Sequence, residues 1–116
     1  MNKTNLKNET LLVLMRNGKQ KDDIVWVGTR KAKIPVEKFW ELADVEYDSG
    51  YGWAEVAKDL IVVGKDWWLE RAEYDGSEWW EFKTFPIEPT RTIEVNKLIC
   101  DDVGWCRLEE MQEEEE

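Results

Sequence analysis

Leu60-Ile61-Val62-Val63-Gly64-Lys65-Asp66-Trp67-Trp68-Leu69-Glu70-Arg71-Ala72-Glu73-Tyr74-Asp75-Gly76-Ser77-Glu78-Trp79-Trp80-Glu81-Phe82-Lys83-Thr84-Phe85 is the stretch that decides the fold. An Asp-Gly pair at 75 and 76 separates two aromatic-rich runs, and such a pair suits a type I′ turn because both residues tolerate positive φ. Taking Asp75-Gly76 as a two-residue loop sets a register: Tyr74 faces Ser77, Glu73 faces Glu78, Ala72 faces Trp79, Arg71 faces Trp80, Glu70 faces Glu81 and Leu69 faces Phe82. Side chains then divide with a period of two. Trp67, Leu69 and Arg71 share a face with Trp80, Phe82 and Thr84, an apolar patch in which Arg71 can lie over Trp80, and this face is expected to be buried. The second face carries Trp68, Glu70, Ala72 and Tyr74 with Trp79, Glu81 and Lys83. It mixes large aromatics with carboxylates and is the first candidate for a working surface.

Upstream, Leu60 to Val63 reads as a strand that turns through Gly64-Lys65-Asp66 into the hairpin, and Ile24-Val25-Trp26-Val27-Gly28 reads as another, followed by a basic turn from Thr29 to Lys33. Pro35 suits a first helical turn, and Val36, Phe39, Trp40 and Ala43 follow at helical spacing, so Pro35 to Asp44 is expected to be a helix. Leu11 to Met15 is too short a run for its period to decide. Glu9 before it, Arg16 after it and the stop at Asn17-Gly18 fit a helix, although Asn17-Gly18 also fits a hairpin turn. Met1 to Asn8 is expected to fray or to supply an early cap.

Downstream, Pro86 and Pro89 close the sheet. Thr90 can cap a helix from Arg91 to about Cys100 with Val95, Leu98 and Ile99 on one side, and Trp105, Leu108 and Met111 form the seam of a last short helix. The expected fold class is α+β: an antiparallel sheet of about four strands with a central Asp-Gly hairpin and two or three helices. Residues 1–112 form one domain in this reading, and residues 113–116 an acidic, disordered tail.

A chain of 116 residues can bury one core without a staple. It has no apolar run of membrane-spanning length and no signal-peptide pattern, so a soluble, unexported protein is expected, with Cys100 and Cys106 as free thiols. The net charge of −10 is uneven: residues 1–33 carry eight basic and three acidic groups, and the other 23 acidic groups follow. That balance repels nucleic acid and attracts basic partners, while serving also to keep a chain with eight tryptophans in solution. Since neighbouring strand residues point to opposite faces, one of Trp67 and Trp68 and one of Trp79 and Trp80 must lie on the second face. Exposed there, they would resemble an interface hot spot; a covering helix would make them a second core.

The chain has no histidine, which removes imidazole acid–base chemistry and histidine-based triads, and it has neither a Walker loop nor a dinucleotide fingerprint. It is not expected to be an enzyme. Glu70 opposite Glu81 is a like-charge pair costing up to about 1 kcal/mol, and it calls for Lys83, Arg71, a cation or a basic partner. Paired carboxylates beside Trp68 and Trp79 also suit a sugar. Asp44, Glu46, Asp48 and Glu55 occupy positions 1, 3, 5 and 12 of a Ca²⁺ loop after a helix, but Ser49 stands where that loop needs glycine and no second loop follows. Glu37, Glu41 and Asp44 form an acidic stripe on the helix from Pro35.

Val25-Trp26-Val27-Gly28, Ile61 to Arg71 and Glu73-Tyr74-Asp75-Gly76-Ser77-Glu78-Trp79-Trp80-Glu81-Phe82-Lys83 resemble small acidic proteins encoded in phages and prophages of Gram-positive bacteria, over roughly residues 24–86. The resemblance implies a context, the cytoplasm of an infected or lysogenic host, rather than a mechanism. By analogy with anti-CRISPR proteins of this size, it implies an inhibitor that occupies the nucleic-acid-binding surface of a host nuclease. The expected function is therefore an acidic interaction protein with a basic protein partner, without direct nucleic-acid or membrane binding. Glu37, Glu41, Asp44 and Asp48 would steer, and Trp68, Glu70, Trp79 and Glu81 would dock. A cation- or sugar-binding module and a self-assembling virion component are the alternatives.

Overall fold

The computed structural model describes residues 3–50, 52–101 and 104–112. The acidic tail 113–116 and Tyr51 of the acidic loop lie outside them. The chain divides into two units, Met1–Phe85 and Pro86–Glu116.

The first unit is α+β. Its elements are β1 (Thr4–Asn5), α1 (Leu6–Arg16), β2 (Trp26–Gly28), β3 (Lys33–Ile34), α2 (Val36–Ala43), β4 (Glu46–Tyr47), β5 (Ile61–Val63), β6 (Trp67–Tyr74) and β7 (Ser77–Thr84). Five strands form an antiparallel sheet in the order β3-β2-β5-β6-β7, and β1 pairs with β4 in a separate two-stranded sheet. The sheet is thus one strand larger than expected. The extra strand comes from the basic turn, where the Thr29 hydroxyl accepts from the Lys31 and Ala32 amides and folds Lys33–Ile34 back onto β2. Gly28 is required there, since a Cβ would meet the Ala32 carbonyl.

Strands β6 and β7 pair from Trp67 opposite Thr84 to Tyr74 opposite Ser77. Asp75 and Gly76 lie between them with φ of 49° and 89°, the left-handed region such a connection needs. On the other side, the Gly64 amide donates to the Trp67 carbonyl at 2.8 Å and closes β5 onto β6 around Lys65-Asp66.

Helix α1 begins at Asn5, whose side chain accepts from the Asn8 amide at 3.0 Å, with Glu9 in the first turn and Arg16 in the last. Leu6, Thr10 and Leu14, four residues apart, are its buried stripe. Helix α2 buries Phe39 and Ala43. These helical residues pack in one core with Val27, Val62, Trp67, Leu69 and Trp80. All five sheet residues belong to the same face by alternation, so both helices cover that inner face. Trp67 stacks on Phe82 within it, centroids 5.6 Å apart.

The second unit corrects two expectations. No helix runs from Arg91 to Cys100; the segment is irregular, and only a 3₁₀ turn at Leu108–Met111 stands where the last helix was expected. Thr92, Ile93, Val95 and Ile99 are β-branched, and a short helix persists only when an apolar stripe finds a packing surface. Here Leu98 and Ile99 remain exposed. Cys100 and Cys106 are joined in a disulfide rather than free. Compartment alone favours free thiols, whereas the turn in which the Gly104 amide reaches the Asp101 carbonyl brings the two residues together locally.

Candidate interaction surface

Two polar arrangements stand out in the first unit, one on each side of the sheet. The inner one is centred on Arg71, whose side chain is 4% exposed. Its guanidinium donates to Glu78 at 2.8 Å and to the Tyr47 hydroxyl at 3.0 Å, lies 3.5 Å from Glu9 and sits 4.7 Å above the Trp80 ring. The Tyr47 hydroxyl donates to Glu9, and Glu78 also accepts the backbone amides of Glu55 and Val56. Beside this cluster the Trp80 indole N–H donates to Thr10 at 2.8 Å.

Burial works against the Arg71 charge, but the hydrogen bonds to Tyr47 and Glu78 and the charge of Glu9 outweigh it, so its pKa lies above the ordinary arginine value. Burial, and then its bond to Glu9, push the Tyr47 hydroxyl well above the ordinary tyrosine range despite Arg71. Glu78 is 2% exposed in its side chain and Glu9 14%. Apart from the Arg71 Nε–H, which is buried with no acceptor among the described residues, the groups are engaged with one another, and the cluster ties α1, β4, β6, β7 and the loop at 55–56 together. Its geometry is that of a tie between elements.

Of its members only Arg71 and Trp80 were anticipated. Alternation carried the missing signal: Glu78 shares the inner face with Trp80 and lies diagonally across from Arg71, so a buried carboxylate with its cation could have been read from the pairing alone.

The outer face is the working candidate. Cross-strand neighbours form two rows, Trp26-Val63-Trp68-Lys83 and Gly28-Ile61-Glu70-Glu81, with Ala72 and Trp79 beyond. Neither helix covers them. Trp79 is 38% exposed, and Phe85, just past β7, is 63% exposed with its ring 5.2 Å from that of Trp68. Lys83 answers the opposed carboxylates, at 3.1 Å from Glu81 and 3.9 Å from Glu70, and Glu81 foremost raises its pKa above the ordinary lysine value. Trp26, Ile61, Val63, Trp68 and Phe85 line a pocket of about 360 Å³ with Arg30 on its wall. The Trp68 indole N–H is shielded from solvent and has no acceptor among the described residues.

The expected docking residues Trp68, Glu70, Trp79 and Glu81 therefore come together on the outer face. The expected steering residues do not join them. Glu37 and Glu41 are exposed on α2, which packs on the inner face, and Glu41 pairs with Lys38 at 3.4 Å. Asp44 accepts from the Asn5 side chain, and Asp48 is half-buried with its carboxylate accepting from the Gly50 amide. Three of the four proposed Ca²⁺ ligands, Asp44, Asp48 and Glu55, are likewise engaged separately. Glu46 lies in β4, and Glu55 accepts from the Asp48 amide at 2.8 Å. Among the described residues no three acidic or cysteine side chains gather around a point fit for a metal. Also among them, no helix is long and apolar enough to cross a membrane.

Charge follows the same division. Residues 1–85 hold thirteen basic and sixteen acidic groups, a net of −3, and residues 86–116 hold three and ten, a net of −7. Comparison with known proteins finds no match, whether among family models, curated proteins or solved structures.

Proposed function

We propose that the protein is an acidic interaction protein that binds a basic, nucleic-acid-binding partner and keeps that partner's surface from its nucleic acid. One observation carries this reading: Trp68 and Trp79 stand beside Glu70 and Glu81 on a sheet face that neither helix covers. Aromatic anchors with carboxylates between them suit a surface of arginine and lysine side chains, through packing, cation–π contact and ion pairing together. Docking belongs to the outer face. The stripe on α2 and the acidic residues beyond Phe85 act at longer range, raising the association rate more than the affinity. The phage context implied by the resemblance makes a host nuclease, a CRISPR effector among them, the first partner to test.

The experiment is calorimetric titration of the purified nuclease with the wild-type chain and with Trp68→Ala/Trp79→Ala, at low and high salt. Affinity should fall at least tenfold in the double variant, and in the wild type as salt rises. Equal affinity of the two proteins would remove the outer face from the interface.

A second reading rests on the pocket. Arg30 has no hydrogen-bond or ion-pair partner among the described residues and the rest of the lining is apolar or aromatic, so an apolar molecule with a carboxylate fits better than a sugar. Quenching of Trp fluorescence by a panel of aryl and alkyl carboxylates, absent in Arg30→Ala, tests it. A Ca²⁺ titration in the same format tests the acidic loop.

A further inference from the structure

Strand β7 is the open edge of the sheet, and its hydrogen-bonding phase can be read from two independent anchors. The Gly64 amide bonds to Trp67, so Trp67 points its backbone at β5 and Trp68 points at β7; alternation then turns the backbone groups of Ser77, Trp79, Glu81 and Lys83 toward β6. The Glu78 amide, which should point the other way, does so and donates to the Ser49 carbonyl at 2.8 Å. Trp80, Phe82 and Thr84 therefore present their N–H and C=O groups outward, and no backbone hydrogen bond reaches them among the described residues. The open segment is bounded on both sides: the Glu78 amide is already taken, and Pro86 has no N–H to give.

We propose that this edge pairs antiparallel with the same edge of a second copy, centred on Phe82. That register satisfies the outward groups reciprocally, Phe82 with the partner's Phe82 and Trp80 with the partner's Thr84. It is also the register that the side chains favour. On the outer face Glu81 falls opposite the partner's Lys83, and Trp79 opposite the partner's Phe85, at the closely spaced non-hydrogen-bonded positions. A lysine on an edge strand ordinarily keeps other strands away. Here the self-complementary order Glu81-Phe82-Lys83 turns it into a recognition element. Each Glu70–Glu81 pair gains a second ammonium, and the exposed aromatics Trp79 and Phe85 gain a cross-strand neighbour. Two outer faces become one continuous surface, carrying Trp68 and Trp79 of both copies.

Sedimentation equilibrium across a concentration series tests the pairing, together with three variants. The wild type should reach twice its 13.8 kDa mass. Lys83→Glu, which sets two carboxylates against each other twice in the dimer, should raise the dissociation constant about tenfold or more. Exchanging the charges in Glu81→Lys/Lys83→Glu should restore it, because position 81 meets position 83 in this register and no other. Thr84→Pro removes an outward amide without touching the β6 ladder and should weaken the dimer too, with far-UV circular dichroism confirming that the chain still folds. A 13.8 kDa species up to roughly millimolar concentration would overturn the proposal. So would a dimer indifferent to all three variants, or a monomer that takes up a foreign strand at this edge instead.

Discussion

Residues 3–85 and residues 86–112 use the same kinds of side chain to opposite ends. In the first region Leu69, Val27 and Val62 are wholly buried, and even a charged Arg71 is taken out of water. In the second, Ile87, Leu98, Ile99 and Trp105 all stay in solvent, and the cross-link between Cys100 and Cys106 holds what shape its loop has. Apolar content is therefore not what separates a core from a strap. The first region repeats its apolar residues at the periods of a strand and a helix and gives each stripe a distant partner; the second offers no surface for its stripe to meet.

The sharpest way to break this contrast is Arg71→Ala, which leaves Glu9 and Glu78 inside without their cation and should cost about 3–5 kcal/mol in urea unfolding. Leu69→Ala should cost about 2–5 kcal/mol by the cavity it leaves. Tyr47→Phe comes next, at about 1–3 kcal/mol, because Glu9 loses a donor and Arg71 an acceptor.

Tyr47 also predicts a pH limb. Its pKa is raised in the folded state, so the stabilisation it gives is complete below its ordinary value of 10.0 and is lost as pH rises beyond it. Urea midpoints between pH 8 and 11 should fall at the alkaline end in the wild type and fall less in Tyr47→Phe. An unaltered slope in the variant would assign the limb to other groups.

At the small end, Trp105→Ala should change stability by no more than about 0.5 kcal/mol, the largest aromatic notwithstanding. Reduction of Cys100–Cys106 should leave the main unfolding transition where it is. A larger shift in either would show that these residues carry more of the stability than their exposure implies.

What was legible in the sequence had short-range causes. Helix α2 follows from Pro35 and the spacing of Phe39 and Ala43, and the sorting of Trp67 from Trp68 and of Trp80 from Trp79 needs only alternation. The misses have long-range or subtler ones. Lys33–Ile34 carries no strand signal and pairs because Thr29 shapes the turn before it. Thr4–Asn5 pairs with Glu46–Tyr47 across some forty residues, which no local pattern records. Trp68, Glu70, Trp79 and Glu81 form one patch because they share a sheet face, whereas charge alone relates Glu37 and Glu41 to them, and the fold puts those two on the side of the helices.

The cluster around Arg71 also bears on how the chain reaches this state. Its contacts join residues 7, 24 and 62 positions apart in the chain. Strands β6 and β7 can meet through local contacts, at little cost in loop closure, and bring Glu78 to Arg71, whereas Tyr47 and Glu9 must arrive from farther along the chain. Helix α1 thus closes a circuit that the hairpin leaves half-made: Arg71 and Glu78 meet within the hairpin, and Glu9 completes the set from outside it. The last lock of the fold is electrostatic, and the earliest residues of the chain hold its key.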